Sequence, residues 1–134
     1  MKLGNTTPAK AVLSIGSNTF DSLQRVTECI NWLADKFHLT AHASAYTTPA
    51  VNGKDADYVN TVAVITTSLS MPELNAVLKD YEKSCGRTPE SKQQGAIPID
   101  VDIVMWNQEI VRPNDYNQEY FKIGWREIAH STIK

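Results

Sequence analysis

Cysteine is almost absent from this chain of 134 residues, which contains only Cys29 and Cys85. Two cysteines cannot form the disulfide framework of a small secreted domain, and neither belongs to a CxxC pair. Cys29 falls on the apolar stripe of a predicted helix, where a free thiol commonly packs as a small hydrophobic group. The cysteine content therefore favours a reducing compartment and a buried, structural role for Cys29.

Long hydrophobic runs are also missing. No segment approaches the roughly 20 consecutive apolar residues that a membrane-spanning helix requires. Residues 1–10 lack the apolar core of a signal peptide. We therefore expect no membrane association, and we predict a cytoplasmic location.

Neither sign of charge predominates, since the chain has 13 basic and 15 acidic residues. A sequence-independent nucleic-acid surface needs clustered positive charge, so nucleic acid is not an expected partner. A small phosphorylated ligand is not excluded, because a pocket needs only a few local charges. The length allows one hydrophobic core, so we predict a single domain over residues 1–134 and expect a monomer.

The spacing of the apolar residues predicts four strands and two helices. The second helix begins with the capping box Ser70–Glu73 and is expected to end at Gly86 in a left-handed cap. The predicted strands are Ala11–Ile15, Leu39–Thr47, Tyr58–Ser68 and Ile99–Trp106, the first helix is Ser22–Phe37, and the loops are Ala50–Asp57 and the mobile Thr88–Ala96. The order β-α-β-β-α-β predicts an α+β fold, a ferredoxin-like sandwich with an antiparallel sheet and helices on one face.

The strongest local signal is a pair of aspartates in the last predicted strand. Because side chains alternate along a strand, Asp100 and Asp102 point to one side, whereas Ile99, Val101 and Ile103 point into the core. Two neighbouring carboxylates are costly unless water or cations surround them, and hard oxygen ligands suit Mg²⁺. The pattern indicates a magnesium site. The alternative is a strand whose polar face meets water, and the spacing alone favours that alternative.

Three weaker patterns have a structural interpretation beside the functional one. Glu82 precedes Arg87 near the end of the second helix, where a carboxylate opposes the helix dipole; a surface glutamate is the simpler interpretation. The turn Gly16–Asn18 can offer backbone amides to a ligand, although it is not a P-loop and a plain turn explains it. Tyr58 and Asn60 share one strand face, as an aromatic platform beside an amide or as a cross-strand pair.

Taken in order, these signals resemble the 6-hydroxymethyl-7,8-dihydropterin pyrophosphokinase family from about Ala11 to Ile128. The family pattern begins with a GSN turn, continues with Y-x-T-P and Y-[LV]-N, and ends with E-x(3)-G-R and G-P-R-x-x-D-L-D. The matching segments are Gly16–Asn18, Tyr46–Pro49, Tyr58–Asn60, Glu82–Arg87 and, in part, Gly95–Asp102. Five landmarks in the same order are difficult to obtain by chance.

The resemblance implies transfer of pyrophosphate from ATP to the hydroxymethyl group of a dihydropterin, leaving AMP, in folate biosynthesis. It implies that Asp100 and Asp102 are catalytic and hold two Mg²⁺ ions that bridge the ATP phosphates. Arg87 is also implied to be catalytic, at the start of a mobile loop that closes over ATP. The implied pterin contacts are Thr48, Pro49, Tyr58, Asn60 and Phe121, and the implied residues on the ATP side are Glu82 and Arg87.

The chain departs from the family pattern where cations normally surround the triphosphate. Pro89 and Ile97 replace arginines, Gln94 replaces a tryptophan, and the segment from Pro113 to Glu119 lacks a histidine and an arginine of the pattern. Charge-assisted phosphate contacts contribute about 1.5–3 kcal/mol each, so losing several lowers the rate unless other cations replace them. The candidate replacements are Lys83, Lys92, Arg112 and Lys122, of which Lys92 is assigned to ATP.

Two classes of function therefore remain open. The first is an active, ATP- and Mg²⁺-dependent pyrophosphokinase whose only partners are small molecules, the pterin and ATP. The second is a noncatalytic relative that binds a pterin or nucleotide as a regulatory or interaction protein. The intact aspartate pair favours the enzyme, and the altered loop favours the noncatalytic relative. A ferredoxin-like RNA-binding module is a poor alternative, because the sequence has no basic stripe. We favour the enzyme.

Overall fold

A computed structural model of the chain describes residues 7–133. Residues 1–6 and 134, the ends of the predicted domain range, lie outside the described residues. The strands are β1 (Ala9–Ser17), β2 (His38–His42), β3 (Tyr46–Thr48), β4 (Tyr58–Thr67), β5 (Asp100–Trp106) and β6 (Glu109–Ile110), and the helices are α1 (Ser22–Lys36), α2 (Met71–Ser84), α3 (Pro89–Gln93), α4 (Pro113–Tyr116) and α5 (Glu119–Ile133). None of the helices in this described part is long and apolar enough to cross a membrane.

β1 lies at the centre of an antiparallel sheet, between β4 and β5. The order of the main path is β2-β4-β1-β5-β6, and β3 pairs with the beginning of β4. Eight of the nine residues of β1 are buried, as expected for a central strand that is covered on both faces. The prediction of a ferredoxin-like α+β sandwich with an antiparallel sheet is confirmed.

One face of the sheet carries the larger hydrophobic core. α1 and α2 cover it with apolar residues at helical spacing, among them Leu33 and Leu78, which pack with Leu13 and Ile15 of β1. Cys29 belongs to this core and is fully buried, as predicted. Its burial raises the pKa of the thiol, so the group stays neutral.

The expectation that helices cover only one face of the sheet is wrong. α5 packs Phe121 and Ile128 on the second face, against Val12, Val62 and Val104. The sequence after Trp106 shows a weaker pattern than the earlier helices, so its helix was missed. Because α5 covers only part of this face, the part around the beginning of β5 stays open.

Local capping explains where α2 and α3 begin and end. α2 starts with the predicted Ser70–Glu73 capping box. Gly86 has a φ of +99°, and the amides of Gly86 and Arg87 donate to the carbonyls of Lys83 and Glu82, which is the Schellman motif. The predicted loop after it is not wholly irregular, because Thr88 caps α3 in a second capping box with Ser91.

The predicted strand Leu39–Thr47 is divided in the structure. β2 and β3 are separate strands, and both pair with β4 at different positions along it. The break places β3 beside the beginning of β4. Tyr46 thereby pairs with Asn60, and Thr48 pairs with Tyr58.

Gly124 allows α5 to approach the sheet closely. A Cβ atom added at this position would lie 2.8 Å from the hydroxyl oxygen of Tyr46 and 2.8 Å from Cγ2 of Val62. The Tyr46 hydroxyl donates a hydrogen bond of 2.6 Å to the carbonyl of Tyr120. Burial raises the pKa of Tyr46 to about 12, so this hydroxyl keeps its proton.

We predict that Gly124→Ala lowers the free energy of unfolding by about 1–3 kcal/mol, because the added methyl group overpacks a filled contact. Urea denaturation measures the change. Arg126→Ala, on the exposed side of the same helix, should change it by less than about 0.5 kcal/mol. Equal urea midpoints for Gly124→Ala and the original protein would contradict the close approach.

Candidate active site

A cavity of about 380 Å³ opens on the second face of the sheet, where β1 ends and β4 and β5 begin. Gly16 of β1 pairs with Asn60 on one side and with Asp100 on the other. Ser14, two residues before Gly16, pairs with Asp102 of β5. Positions 14, 16, 60, 100 and 102 therefore all lie on the same face of the sheet. The cavity has the volume of a typical small-molecule site.

Four of the five predicted pterin-contacting residues line this cavity, namely Thr48, Pro49, Tyr58 and Asn60. Asn60 is 3% exposed, and its Nδ2 donates to Oγ1 of Thr48 at 2.8 Å. A Cβ atom at Gly16 would lie 3.1 Å from Oδ1 of Asn60. The small residue at position 16 therefore leaves room for the Asn60 amide, and Thr48 fixes its orientation.

Phe121, the fifth predicted pterin contact, does not line the cavity. Its ring is fully buried in the second core and lies 5.6 Å from the ring of Tyr116 and 6.1 Å from that of Trp125, centroid to centroid. Tyr120 lines the cavity instead. Consecutive residues of a helix point about 100° apart, so α5 can present only one of the two rings there.

Tyr120 is fixed by hydrogen bonds at its backbone and at its side chain. Its carbonyl accepts the Tyr46 hydrogen bond, and its hydroxyl donates to the carboxylate of Asp115. Asp115 also forms an ion pair with Arg112. Burial, together with the negative charge of Asp115, raises the pKa of Tyr120, so its hydroxyl stays protonated.

Three carboxylates gather at the edge of the cavity. Glu82, Asp100 and Asp102 each place one oxygen within 4.8 Å of the others. The simpler interpretation of Glu82 as a surface residue is wrong, since it is 4% exposed. Its Oε2 accepts a hydrogen bond of 2.7 Å from the Val101 amide.

The Val101 amide needs this side-chain partner because of its place in the sheet. In the described part of the chain, β6 pairs with β5 only at Met105 and Trp106. No strand therefore covers the outer edge of β5 at Val101, and a buried amide without a partner would be costly. Glu82, at the end of α2, supplies the missing acceptor.

Two cations neutralise part of the negative charge. Nζ of Lys79 lies 3.0 Å from Oε2 of Glu82 and 3.0 Å from Oδ1 of Asp102. Nη1 of Arg87 lies 2.7 Å from Oδ1 of Asp100 and 3.2 Å from Oε1 of Glu82. Lys79 was missed in the sequence. Its spacing of three residues from Glu82 on a helix was the available signal.

The pKa values reflect this crowding. Burial and the neighbouring charge of Asp100 raise the pKa of Asp102, and Lys79 offsets only part of the effect. Burial lowers the pKa of Lys79, but the charges of Asp102 and Glu82 outweigh it and the net shift is upward. The ammonium therefore stays charged, whereas Asp102 holds a carboxylate that its surroundings disfavour.

A second cavity, of about 470 Å³, adjoins the first at Asp102, which lines both. Lys79 and Arg112 line it together with apolar residues such as Ile103. Lys92 does not belong to this group: it is exposed on α3 and, among the described residues, lines neither cavity.

The turn at Asn18 joins two loops around the first cavity. The Asn18 amide donates to the carbonyl of Ile97 at 3.1 Å, and Oδ1 of Asn18 accepts from the Ile97 amide at 2.6 Å. Nδ2 donates to the carbonyl of Gly95 at 2.7 Å. Gly95 has a φ of +73° and packs against Asp55, which a Cβ atom would approach to 2.4 Å. The backbone amide of Asn18 is thus hydrogen-bonded within the protein, to Ile97, rather than offered to a ligand.

Comparison with protein families gives one match that covers most of the chain. The family model described as 7,8-dihydro-6-hydroxymethylpterin-pyrophosphokinase matches residues 12–130. These residues contain both cavities, the three carboxylates and their two cations.

Individual relatives agree with this match. The mitochondrial folate synthesis bifunctional protein of Pisum sativum is 35% identical over 130 residues, which cover 96% of this chain and 25% of that protein. The folate synthesis bifunctional protein of Arabidopsis thaliana is 30% identical over 108 residues, covering 79% of this chain and 22% of that protein. The chain thus spans about a quarter of the length of these plant relatives.

A third relative is similar to this chain in extent. The 2-amino-4-hydroxy-6-hydroxymethyldihydropteridine pyrophosphokinase of Haemophilus influenzae is 31% identical over 135 residues. The match covers 92% of this chain and 83% of that protein.

We predict that Asp102→Asn raises the melting temperature of the metal-free protein at pH 7. The pKa of Asp102 is raised in the folded state above its ordinary value of 3.8. Its ionisation therefore lowers the stability of the folded protein as the pH rises from about 4 through the raised pKa. The increase in melting temperature caused by Asp102→Asn should be full above the raised pKa and should vanish below about pH 4. Thermal unfolding in EDTA between pH 3 and 8 measures it.

Asp80→Asn is the matched control, because Asp80 is exposed on α2. It should shift the melting temperature little across the same pH range. A lower melting temperature for Asp102→Asn at pH 7 would show that the ion pair with Lys79 outweighs the burial of Asp102, contrary to the prediction.

Proposed function

Because the chain belongs to the 7,8-dihydro-6-hydroxymethylpterin-pyrophosphokinase family, we propose that it transfers pyrophosphate from ATP to 6-hydroxymethyl-7,8-dihydropterin in folate biosynthesis. The observation that carries the proposal is the place of Asp102, which lines two adjoining cavities. A two-substrate transfer needs such a junction, because the acceptor hydroxyl and the phosphates must meet.

The first cavity fits the pterin. Tyr58 and Tyr120 give it aromatic walls, and Asn60 and Thr48 give it polar atoms that can fix the edge of a heterocycle. Its opening at Asp100 and Asp102 would direct a substituent of the bound ring toward the carboxylates. In this arrangement Tyr120 takes the place that the sequence assigned to Phe121.

The second cavity fits ATP. Lys79 and Arg112 bring positive charge to its wall, and Ile103 and Val111 supply apolar surface. Cations and backbone amides bind phosphate oxygens, while apolar surface accepts a base or a ribose. Arg112 was one of the candidate replacements for the cations that the family pattern places near the triphosphate. Lys79, which was not among those candidates, adds a second positive charge.

The carboxylates fit magnesium, since all three offer hard oxygen ligands. Glu82 already uses both oxygens, with Val101 and Lys79 on one and Arg87 on the other. Asp100 and Asp102 are therefore the groups that would hold the two expected Mg²⁺ ions. Bound there, magnesium would neutralise phosphate charge and align the reacting oxygens.

The remaining site residues act by positioning. Arg87 fixes Asp100 through the 2.7 Å ion pair and also donates toward the Ile99 carbonyl. Glu82 fixes Val101 between the two aspartates. The closure of the segment after Arg87 over ATP, which would exclude water, stays a prediction. So do the cytoplasmic location, the single domain and the monomer.

We predict that the protein releases AMP when it is incubated with ATP, Mg²⁺ and 6-hydroxymethyl-7,8-dihydropterin. Asp100→Asn should lower the rate at least about 100-fold, because it removes a carboxylate from the metal site. Chromatographic measurement of AMP tests this. Asp35→Asn, exposed on α1, should keep the original rate.

The outcome also separates the two classes of function. No AMP above background at high protein concentration would refute the enzyme. If calorimetry then showed pterin binding without turnover, the chain would be the noncatalytic binding protein. Binding of neither ligand would exclude both.

We predict that Tyr120→Ala weakens pterin binding about tenfold, because one aromatic wall of the cavity is lost. Tyr120→Phe keeps the ring and should bind within about threefold of the original protein. Calorimetry with the dihydropterin gives both dissociation constants. Unchanged affinity for Tyr120→Ala would remove this residue from the proposed pterin site.

A further inference from the structure

The ammonium group of Lys79 contacts three oxygen atoms. It lies 3.0 Å from Oε2 of Glu82, 3.0 Å from Oδ1 of Asp102 and 3.1 Å from the carbonyl oxygen of Val101. An ammonium has three donors and no acceptor, so these contacts satisfy it fully. Two of the oxygens belong to the carboxylate cluster, and the third belongs to the residue between the two aspartates.

The charge of the cluster depends strongly on this lysine. Glu82, Asp100 and Asp102 contribute three negative charges, and Lys79 and Arg87 contribute two positive ones, so the net charge is −1. Without Lys79 the net charge would be −2. A divalent cation at Asp102 is repelled by an ammonium that occupies the same carboxylate.

We propose that Lys79 is a built-in counter-cation of the metal site, which occupies Asp102 in the free protein and leaves it when a divalent ion binds. The inference rests on the proposed function only in taking Asp100 and Asp102 as the metal ligands. Lys79 thus competes with the metal ion for the Asp102 carboxylate.

The surroundings of Lys79 give the displaced ammonium a place to go. Its side chain is 36% exposed, and its flexible stem allows the head group to move. Lys79 also lines the second cavity. A polyphosphate bound there would offer it a new anionic partner, so the binding of phosphate and of the metal ion would favour each other.

Arg87 cannot play the same part. Its guanidinium contacts Asp100 and Glu82 through a planar group, with 25% of the side chain exposed, and it follows directly on the Schellman motif that ends α2. The two cations therefore differ in freedom: Arg87 holds Asp100 in place, and Lys79 is able to release Asp102.

The test is a Mn²⁺ titration of the nucleotide-free protein, with free Mn²⁺ measured by electron paramagnetic resonance. Lys79→Met should bind Mn²⁺ about tenfold more tightly than the original protein, because a competing positive charge has been removed. Lys79→Gln removes the same charge with a polar side chain and should show the same direction. Lys83→Met, one turn further along α2 and exposed, removes a charge outside the cluster and should leave the affinity unchanged.

The double variant Lys79→Met, Asp102→Asn locates the effect. It should lose the gain, because the carboxylate that Lys79 vacates is then absent. Mn²⁺ affinity that is unchanged or weaker in both Lys79 variants would overturn the proposal and leave Lys79 as a support for Asp102.

The proposed function and this inference fail in different ways. If the protein releases no AMP but Lys79→Met gains Mn²⁺ affinity, the counter-cation stands and the enzyme does not. If AMP is released and Lys79→Met gains nothing, the enzyme stands and the counter-cation does not. Absence of Mn²⁺ binding in every variant would overturn the counter-cation together with the metal site.

Discussion

The hydrogen bond from the Val101 amide to Glu82 is the contact on which the site depends. A buried amide at an uncovered strand edge and a buried carboxylate near the end of a helix are each costly alone, and here each satisfies the other. The bond fixes the last turns of α2 against β5. Because Lys79 lies one turn before Glu82 and Arg87 directly follows the helix cap, the same contact brings both cations to the two aspartates.

The second constraint is the incomplete cover of the sheet. Both faces of the central strand need burial. On the second face α5 covers only the region of Val12, Val62 and Val104, against which it packs closely through Phe121 and Gly124. Beyond that point the face is lined by Asn60, Asp100 and Asp102 rather than by apolar residues. The alternation of side chains along the strands, which builds the core, thus also points these polar side chains toward the cavity. Where α5 meets the cavity, the Tyr46 hydroxyl fixes the backbone of Tyr120.

Much of this could be predicted from local sequence patterns. Alternation along β4 and β5 placed Tyr58 with Asn60 and Asp100 with Asp102, since the direction of a strand side chain depends only on its parity. The burial of Glu82 could not be predicted, because it depends on an edge of β5 that lies nineteen positions further along the chain. The lining of the cavity by Tyr120 rather than by Phe121 could not be predicted either, because the rotation of α5 is set by its packing on the sheet. The helix α3 could have been predicted from the sequence, because Thr88 and Ser91 form a capping box and Pro89 takes the first helical position.

The positions at which the chain departs from the family pattern are consistent with this packing. Ile97 is 8% exposed and its amide is bound to Asn18, so its side chain fills a buried position where the pattern has an arginine. Pro89 begins α3, a place where its missing amide costs nothing. With these positions committed to packing and to a helix start, positive charge near the aspartates must come from elsewhere. Lys79 and Arg112 supply it from α2 and from the segment before α4, on the side of the second cavity. Together with Arg87, which contacts Asp100, these residues surround the aspartate pair with positive charge that comes from neither Pro89 nor Ile97.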